Sequence, residues 1–128
     1  MPVDKPTEQS RMTIAIVDSD VAFREYVVEA LDFGKYKFEE YDCFEQLLAD
    51  SNLAALQCLF LSIGPGFKAI RKLIQSIRRQ NSCLSIIAVG DDEITHAVLS
   101  IRAGADDYIH RPLNSGRIRA AMNNLLLS

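Results

Sequence analysis

A chain of 128 residues, 48% hydrophobic and 24% charged, has the makings of one globular domain and too little material for a second core. Its formal net charge of −3 has the wrong sign for bulk attraction to nucleic acid, so that class of partner is not expected. No apolar run approaches the roughly 18 residues that cross a bilayer, and residues 1–10 lack a signal-peptide core; a soluble cytoplasmic protein without membrane contact is predicted.

Residues 1–11 carry two prolines and no apolar periodicity, which predicts a flexible leader ahead of a domain over residues 12–128. Residues 13–17 form a run rich in β-branched side chains that stops at Asp18, the pattern of a strand buried on both faces. Asp20 is placed to cap a first helix whose buried stripe is Phe23, Val27, Ala30 and Leu31, and Gly34 stops it. Residues 36–41 mix aromatic and charged side chains as an edge strand does, and residues 44–49 read as a short second helix. The apolar run 58–61 is the central strand; it ends at Ser62 before the turn Gly64-Pro65-Gly66.

Ile70, Leu73, Ile74 and Ile77 mark the buried side of a third helix, and residues 86–89 a strand that ends at Gly90. Ile94, Ala97, Val98 and Ile101 predict the core-facing stripe of a fourth helix. Tyr108 and Ile109 start a last strand that Pro112 breaks, and Ile118, Ala121, Met122 and Leu125 mark the fifth helix. Strands and helices that alternate in this way predict an α/β fold, a doubly wound five-stranded parallel sheet flanked by five helices, with ligands met at the strands' carboxyl ends.

The three cysteines, Cys43, Cys58 and Cys83, are odd in number and widely spaced, which predicts reduced thiols and no zinc site; Cys58 and Cys83 open apolar runs and are expected in the core. His96 and His110 read as surface histidines, and Asp91, Asp92 and Glu93 as capping residues of the fourth helix. Lys68, Arg71, Lys72, Arg78 and Arg79 give the third helix a basic outer face. It has no interleaved aromatic residues for base stacking.

The segment 103–113, AGADDYIHRPL, is the most specific motif, and with it the chain resembles the receiver domains of response regulators over essentially residues 12–127. The resemblance implies a flavodoxin-like fold of receiver type, an acidic pair after the first strand, a phosphoacceptor aspartate after the third, a hydroxyl after the fourth, and Lys-Pro with a cis bond after the fifth. The matching positions here are Asp18 and Ser19, Ser62, Gly90, and Arg111-Pro112, with Tyr108 at the position of the switch aromatic. The loop after Ser62 is one residue shorter than the family's, and counting back from Pro65 selects Leu61 instead; neither is a carboxylate.

Receiver chemistry needs an ionised carboxylate as nucleophile and a hard cation held by anionic oxygens. Serine cannot form an acyl phosphate, no base is evident beside Ser62, and Asp18 is the one carboxylate left among the pocket positions. Arg111 keeps a lysine's charge in a broader planar form, suited to pairing with Asp18.

No catalytic residue, metal site, cofactor or enzymatic activity is expected. The expectation is a pseudo-receiver, a phosphorylation-independent signalling module that binds a protein partner. Its rival is a receiver-like switch driven by a small ligand or by modification of Ser62. A flavin-binding enzyme is disfavoured, because the loop 18–21 lacks the character that cradles a phosphate. The resemblance also implies a possible weak homodimer through the fourth-helix to fifth-helix face, where Arg102, Asp106, Asp107, Arg117 and Arg119 fall.

Overall fold

β-Branched and apolar runs become strands and amphipathic runs become helices in strict alternation. The order is β1 (Met12–Val17), α1 (Val21–Leu31), β2 (Tyr36–Tyr41), α2 (Phe44–Asp50), a 3-10 turn (Leu53–Ala55), β3 (Cys58–Ser62), α3 (Phe67–Gln80), β4 (Ser85–Gly90), α4 (Ile94–Ala103), β5 (Asp107–His110) and α5 (Ser115–Leu127). The structure, a computed structural model, describes residues 12–32, 34–64 and 67–127. The leader expected over residues 1–11 and the tip of the 64–66 turn lie outside them.

All strand pairs are parallel and the sheet order is β2-β1-β3-β4-β5, so β2 is an edge as its mixed composition predicts. Alternation along the central strands splits the core in two. Ala15, Val17, Leu59, Leu61, Ile86 and Ala88 face one way, toward Leu47 of α2, Ile74 and Ile77 of α3 and Ala103 of α4. Ile14, Ile16, Phe60, Ile87 and Val89 face the other way, toward Val27 and Leu31 of α1 and Ile118 and Met122 of α5. Burying each Leu, Ile or Phe contributes about 1.5–3 kcal/mol, so this double layer is the main source of stability. It also fixes where the strands end, which places every candidate site residue at one rim.

Asp20 caps α1 as expected, its carboxylate accepting from the Ala22 N–H at 2.9 Å. Three expectations are corrected. The core-facing residues of α4 are Ser100 and Ala103, whereas Ile94, Val98 and Ile101 are exposed: α4 is rotated so that its small side chains meet the sheet and α3. Cys83 is exposed, in the turn before β4, because the apolar run that counts begins at Leu84. Cys58 is buried against Met122, its sulfur 3.6 Å from the thioether, and burial pushes its thiol up to about 12, so it stays protonated.

Arg78 is the third correction, because it is a strut and not part of the basic outer face. Its guanidinium donates to the Gly104 carbonyl at 2.6 and 3.0 Å and to the Leu84 carbonyl, and pairs with Asp106 at 2.7 Å. Asp106 in turn accepts from the Ile86 N–H at 2.8 Å. One side chain thus ties α3 to the starts of β4 and β5. Gly104 closes α4 with φ of 122°, a backbone state that favours glycine, and a Cβ there would stand 3.3 Å from Ile74. Removing the strut by Arg78→Ala is expected to cost about 2 kcal/mol in urea unfolding and to lower Tm by roughly 8 °C, with Arg78→Lys in between.

Candidate functional site

Three loops converge at the carboxyl ends of β1, β3 and β5. Asp18 leaves β1 with its N–H bonded to the Tyr41 carbonyl, which holds it at the rim with 8% of its surface exposed. One carboxylate oxygen, Oδ1, accepts from the Asp20 N–H at 2.8 Å and so helps shape the start of α1. The other, Oδ2, accepts from Arg111 Nη2 at 2.6 Å and from the Ser62 hydroxyl in a short hydrogen bond. Arg111 Nη2 also reaches Ser62 Oγ at 3.1 Å.

Ser62 therefore lies between Asp18 and Arg111 at the end of β3. Of the two residues that loop length left open, Leu61 points into the core and Ser62 into the rim. A carboxylate does stand beside Ser62, contrary to the expectation from sequence. It is nevertheless a poor base for an alcohol, because its charge is already taken up by the guanidinium.

Arg111 is aimed by its surroundings. Its N–H donates to the Gly90 carbonyl at 2.9 Å, the Arg111–Pro112 peptide is cis as the resemblance implied, and the guanidinium carbon lies 5.1 Å from the Phe23 ring centroid. Cation–π stacking on Phe23 and the bond to Asp18 fix the same side chain from two directions. Arg111 consequently walls three clefts. One, of about 320 Å³, holds Ser19, Cys43, Phe44 and Ser62; a second, of about 540 Å³, holds Gly90, Asp91, Asp92 and His96; the third lies along Phe23, Tyr26, Pro112 and Leu113.

A magnesium ion asks for several oxygens, carboxylates among them, in near-octahedral array. The residues present do not fit it. One oxygen of Asp18 is turned to a backbone N–H and the other is covered by a cation and a hydroxyl, while Asp42, which lines the same cleft, is paired with Arg24 at 3.0 Å. Among the described residues, no three His, Cys, Asp or Glu side chains lie together so as to hold a metal.

Gly90 and Tyr108 form a second unit beside the first. A Cβ built on Gly90 would overlap the Tyr108 hydroxyl and stand 2.9 Å from Ile63 Cγ1, so Tyr108 occupies the room that a larger residue on β4 would need. The hydroxyl donates to the Asp91 carbonyl at 2.6 Å, and burial, followed by the Asp91 charge, raises its pKa, which keeps the donor proton in place. Asp91 Oδ1 also meets His96 Nδ1 at 2.6 Å. Asp91 thus serves Tyr108 and His96, and no side-chain cap bond forms at the start of α4, where Glu93 is the capping residue.

The expected charged interface is partly consumed within the chain. Asp106 pairs with Arg78 and Asp107 with Arg117 at 3.2 Å, while Arg102 and Arg119 are exposed. Arg24 was not singled out from sequence, yet it pairs with Glu40 at 3.2 Å and Asp42 at 3.0 Å and donates to the Asp18 carbonyl at 2.6 Å. Its position four residues after a helix cap, flanking the buried stripe one residue after Phe23 and seven before Leu31, was the available signal.

If Gly90 is small to make room for Tyr108, Gly90→Ala should destabilise by about 1–3 kcal/mol. In the Tyr108→Ala background the same change should cost at least about 1 kcal/mol less, a coupling that a double-mutant cycle in urea would measure.

Sequence comparison with protein-family models and with curated proteins finds no match. Solved structures do match. A response regulator from Thermotoga maritima superposes with a TM-score of 0.81 at 18% identity, over 92% of this chain and 99% of that one. The receiver domain of NtrX from Brucella abortus gives 0.74 at 26%, over 90% and 98%. A CheY-like receiver domain protein from Methanospirillum hungatei JF-1 gives 0.76 at 24%, over 91% and 94%. Five parallel strands in this order with their five helices are the CheY-like, flavodoxin-type fold, and its solved neighbours are receiver domains of response regulators.

Proposed function

We propose that this chain is a receiver-fold module of a two-component signalling system that works by protein–protein contact, with no aspartyl-phosphate cycle, no cofactor and no enzymatic activity of its own. The observation that carries this reading is the closed set of Asp18, Ser62 and Arg111, in which the phosphoacceptor position is a hydroxyl already engaged by its neighbours. A nucleophile for phosphoryl transfer must offer a free lone pair in line with the leaving group, and a metal must hold the transferred oxygens. Ser62 offers a hydroxyl whose proton is committed to Asp18, and the donor set suits an arginine better than a divalent ion.

A second reading has one observation in its favour. Ser62 is partly exposed in a cleft with Arg111 at its wall, so a small anion, or a phosphoryl group that a kinase transfers from a nucleotide to the Ser62 oxygen, would compete with Asp18 for the guanidinium. That reading keeps the switch and changes the input.

One experiment separates them. With magnesium and acetyl phosphate, intact mass should stay at that of the unmodified chain, and beryllofluoride should leave the amide NMR spectrum unchanged. A phosphoryl adduct, or beryllofluoride shifts at Gly90 and Tyr108, would defeat the main reading. Shifts at Ser62 and Arg111 on titrating inorganic phosphate or sulfate alone would favour the second. Arg111→Ala should leave the Asp18 carboxylate without its cation and destabilise by about 1–2 kcal/mol, the partial exposure of the arginine keeping the cost below that of a buried pair; urea unfolding measures it.

A further inference from the structure

Charge is segregated along this chain. The formal net charge is −3, yet neither α3 nor α4 contains an aspartate or glutamate, while α3 carries Lys68, Arg71, Lys72, Arg78 and Arg79 and α4 carries Arg102. Arg78, Arg79 and Arg102 lie in last turns, where the helix dipole favours a cation. Lys68, Arg71 and Lys72 lie in the first half of α3, where it does not, and Lys68 precedes the other two by three and four residues, the spacings at which like charges destabilise a helix. Arg78 is neutralised by Asp106. Arg71, Lys72, Arg79 and Arg102 are exposed, and among the described residues no carboxylate pairs with them.

Between the two helices these cations border an apolar floor. Arg71 of α3 and Arg102 of α4 line one cleft of about 220 Å³, together with Leu99, which is exposed, and Ala103. Small-molecule sites begin at roughly 300 Å³, so the cleft suits a single side chain better than a whole ligand.

We infer that the groove between α3 and α4 docks an acidic segment of a partner protein, one aliphatic side chain resting on Leu99 and Ala103 and the flanking carboxylates meeting Arg71 and Arg102. Charge complementarity chooses this occupant, since an anionic segment relieves the repulsion stored in α3 and finds guanidinium forks shaped for carboxylates on both walls. A nucleic acid would meet the same cations but needs stacking surfaces for its bases; α4 has no aromatic residue and α3 has Phe67 alone, at its first position. Docking here presupposes the protein-contact reading and adds to it a surface and the chemistry of the partner. Asp18, Ser62 and Arg111 take no part. A phosphoryl adduct at the rim would leave binding in the groove intact, and a groove that binds nothing would leave the closed rim intact.

The test is fluorescence anisotropy of a labelled peptide of about eight residues, one central leucine among glutamates, long enough at about 3.3 Å per residue to lie along the groove. The full chain is titrated to about 2 mM at low salt, where exposed charges are least screened. Saturable binding with Kd below about 1 mM is expected, with amide NMR shifts at Arg71, Leu99, Arg102 and Ala103 and none at Ser62 or Arg111. Arg71→Glu and Arg102→Glu should each weaken binding at least about fivefold, with unchanged Tm because both side chains are exposed and unpaired. Arg119→Glu, which reverses the same charge at an exposed site on α5, should change it less than about twofold. Serine in place of the central leucine should weaken it at least about threefold. Absence of saturable binding overturns the proposal. So does a loss on Arg119→Glu equal to that of the groove variants, a serine peptide that binds as well as the leucine one, shifts confined to Ser62 and Arg111, or an oligouridylate of the same charge that binds more tightly than the peptide.

Discussion

The contact between Arg111 and Asp18 is the constraint on which the rim of this molecule depends. It joins the end of β1 to the loop after β5 across the central strand, and it determines what Ser62, lying between them, can do. Both charged partners are held from behind. Phe23 and the Gly90 carbonyl position the arginine, while the Asp20 N–H and the Tyr41 carbonyl position the aspartate. An ion pair with such support loses little side-chain entropy on forming, unlike a surface pair between two free chains. The guanidinium and the carboxylate neutralise one another, and both oxygens of Asp18 already accept hydrogen bonds.

Next to it, Gly90 and Tyr108 exchange volume. The absent side chain on β4 is replaced by a ring from β5 whose hydroxyl is bonded to the Asp91 carbonyl. The two units touch through the backbone, since the Gly90 carbonyl accepts from the Arg111 N–H. A movement of Tyr108 would therefore have to break its own hydrogen bond and leave a void over Gly90, and voids in packed interiors are expensive. Nothing in the Asp18, Ser62 and Arg111 set stores charge that could drive such a movement.

How much of this was legible beforehand follows from which physical signal each residue carried. The strands ending at Asp18, Ser62 and Gly90 were readable because a two-sided burial demands unbroken apolar runs, and the edge position of β2 because its run is mixed. The pairing of Arg111 with Asp18 was readable from charge and topology together. Helix α4 was not, because periodicity reports which side chains share a face and not which way the face turns; the decision rested on the tight fit of Ser100 and Ala103 against their neighbours. Arg78 was misassigned for a related reason, since an arginine in a basic run looks the same whether it meets water or the two backbone carbonyls of Leu84 and Gly104. The Asp18 contact with Ser62 joins residues 44 positions apart, a distance no local pattern encodes.

A cup of several carboxylates is repulsive until a cation or protons enter it, and a receiver-type site holds that repulsion ready as the source of its response. Here Ser19, Ser62 and Arg111 stand where the resemblance implies two acidic residues and a lysine, and Ser62, Arg111 and Asp18 fill the space with mutual hydrogen bonds. The rim then serves to hold β1, β3 and the loop after β5 together, a structural task. Among the described residues, α4 carries four of the seven large hydrophobics that are exposed, Ile94, Val98, Leu99 and Ile101. There the inverted placement of Ile94, Val98 and Ile101 leaves apolar surface in water that the fold could have buried by turning the helix. Keeping small residues against the sheet and large ones outside forgoes burial worth roughly 1.5–3 kcal/mol for each large aliphatic that would be fully covered, a loss that association with another surface can return. The rim and the outer face of α4 occupy different elements and are governed by different forces, hydrogen bonding and charge in one and exposed apolar surface in the other.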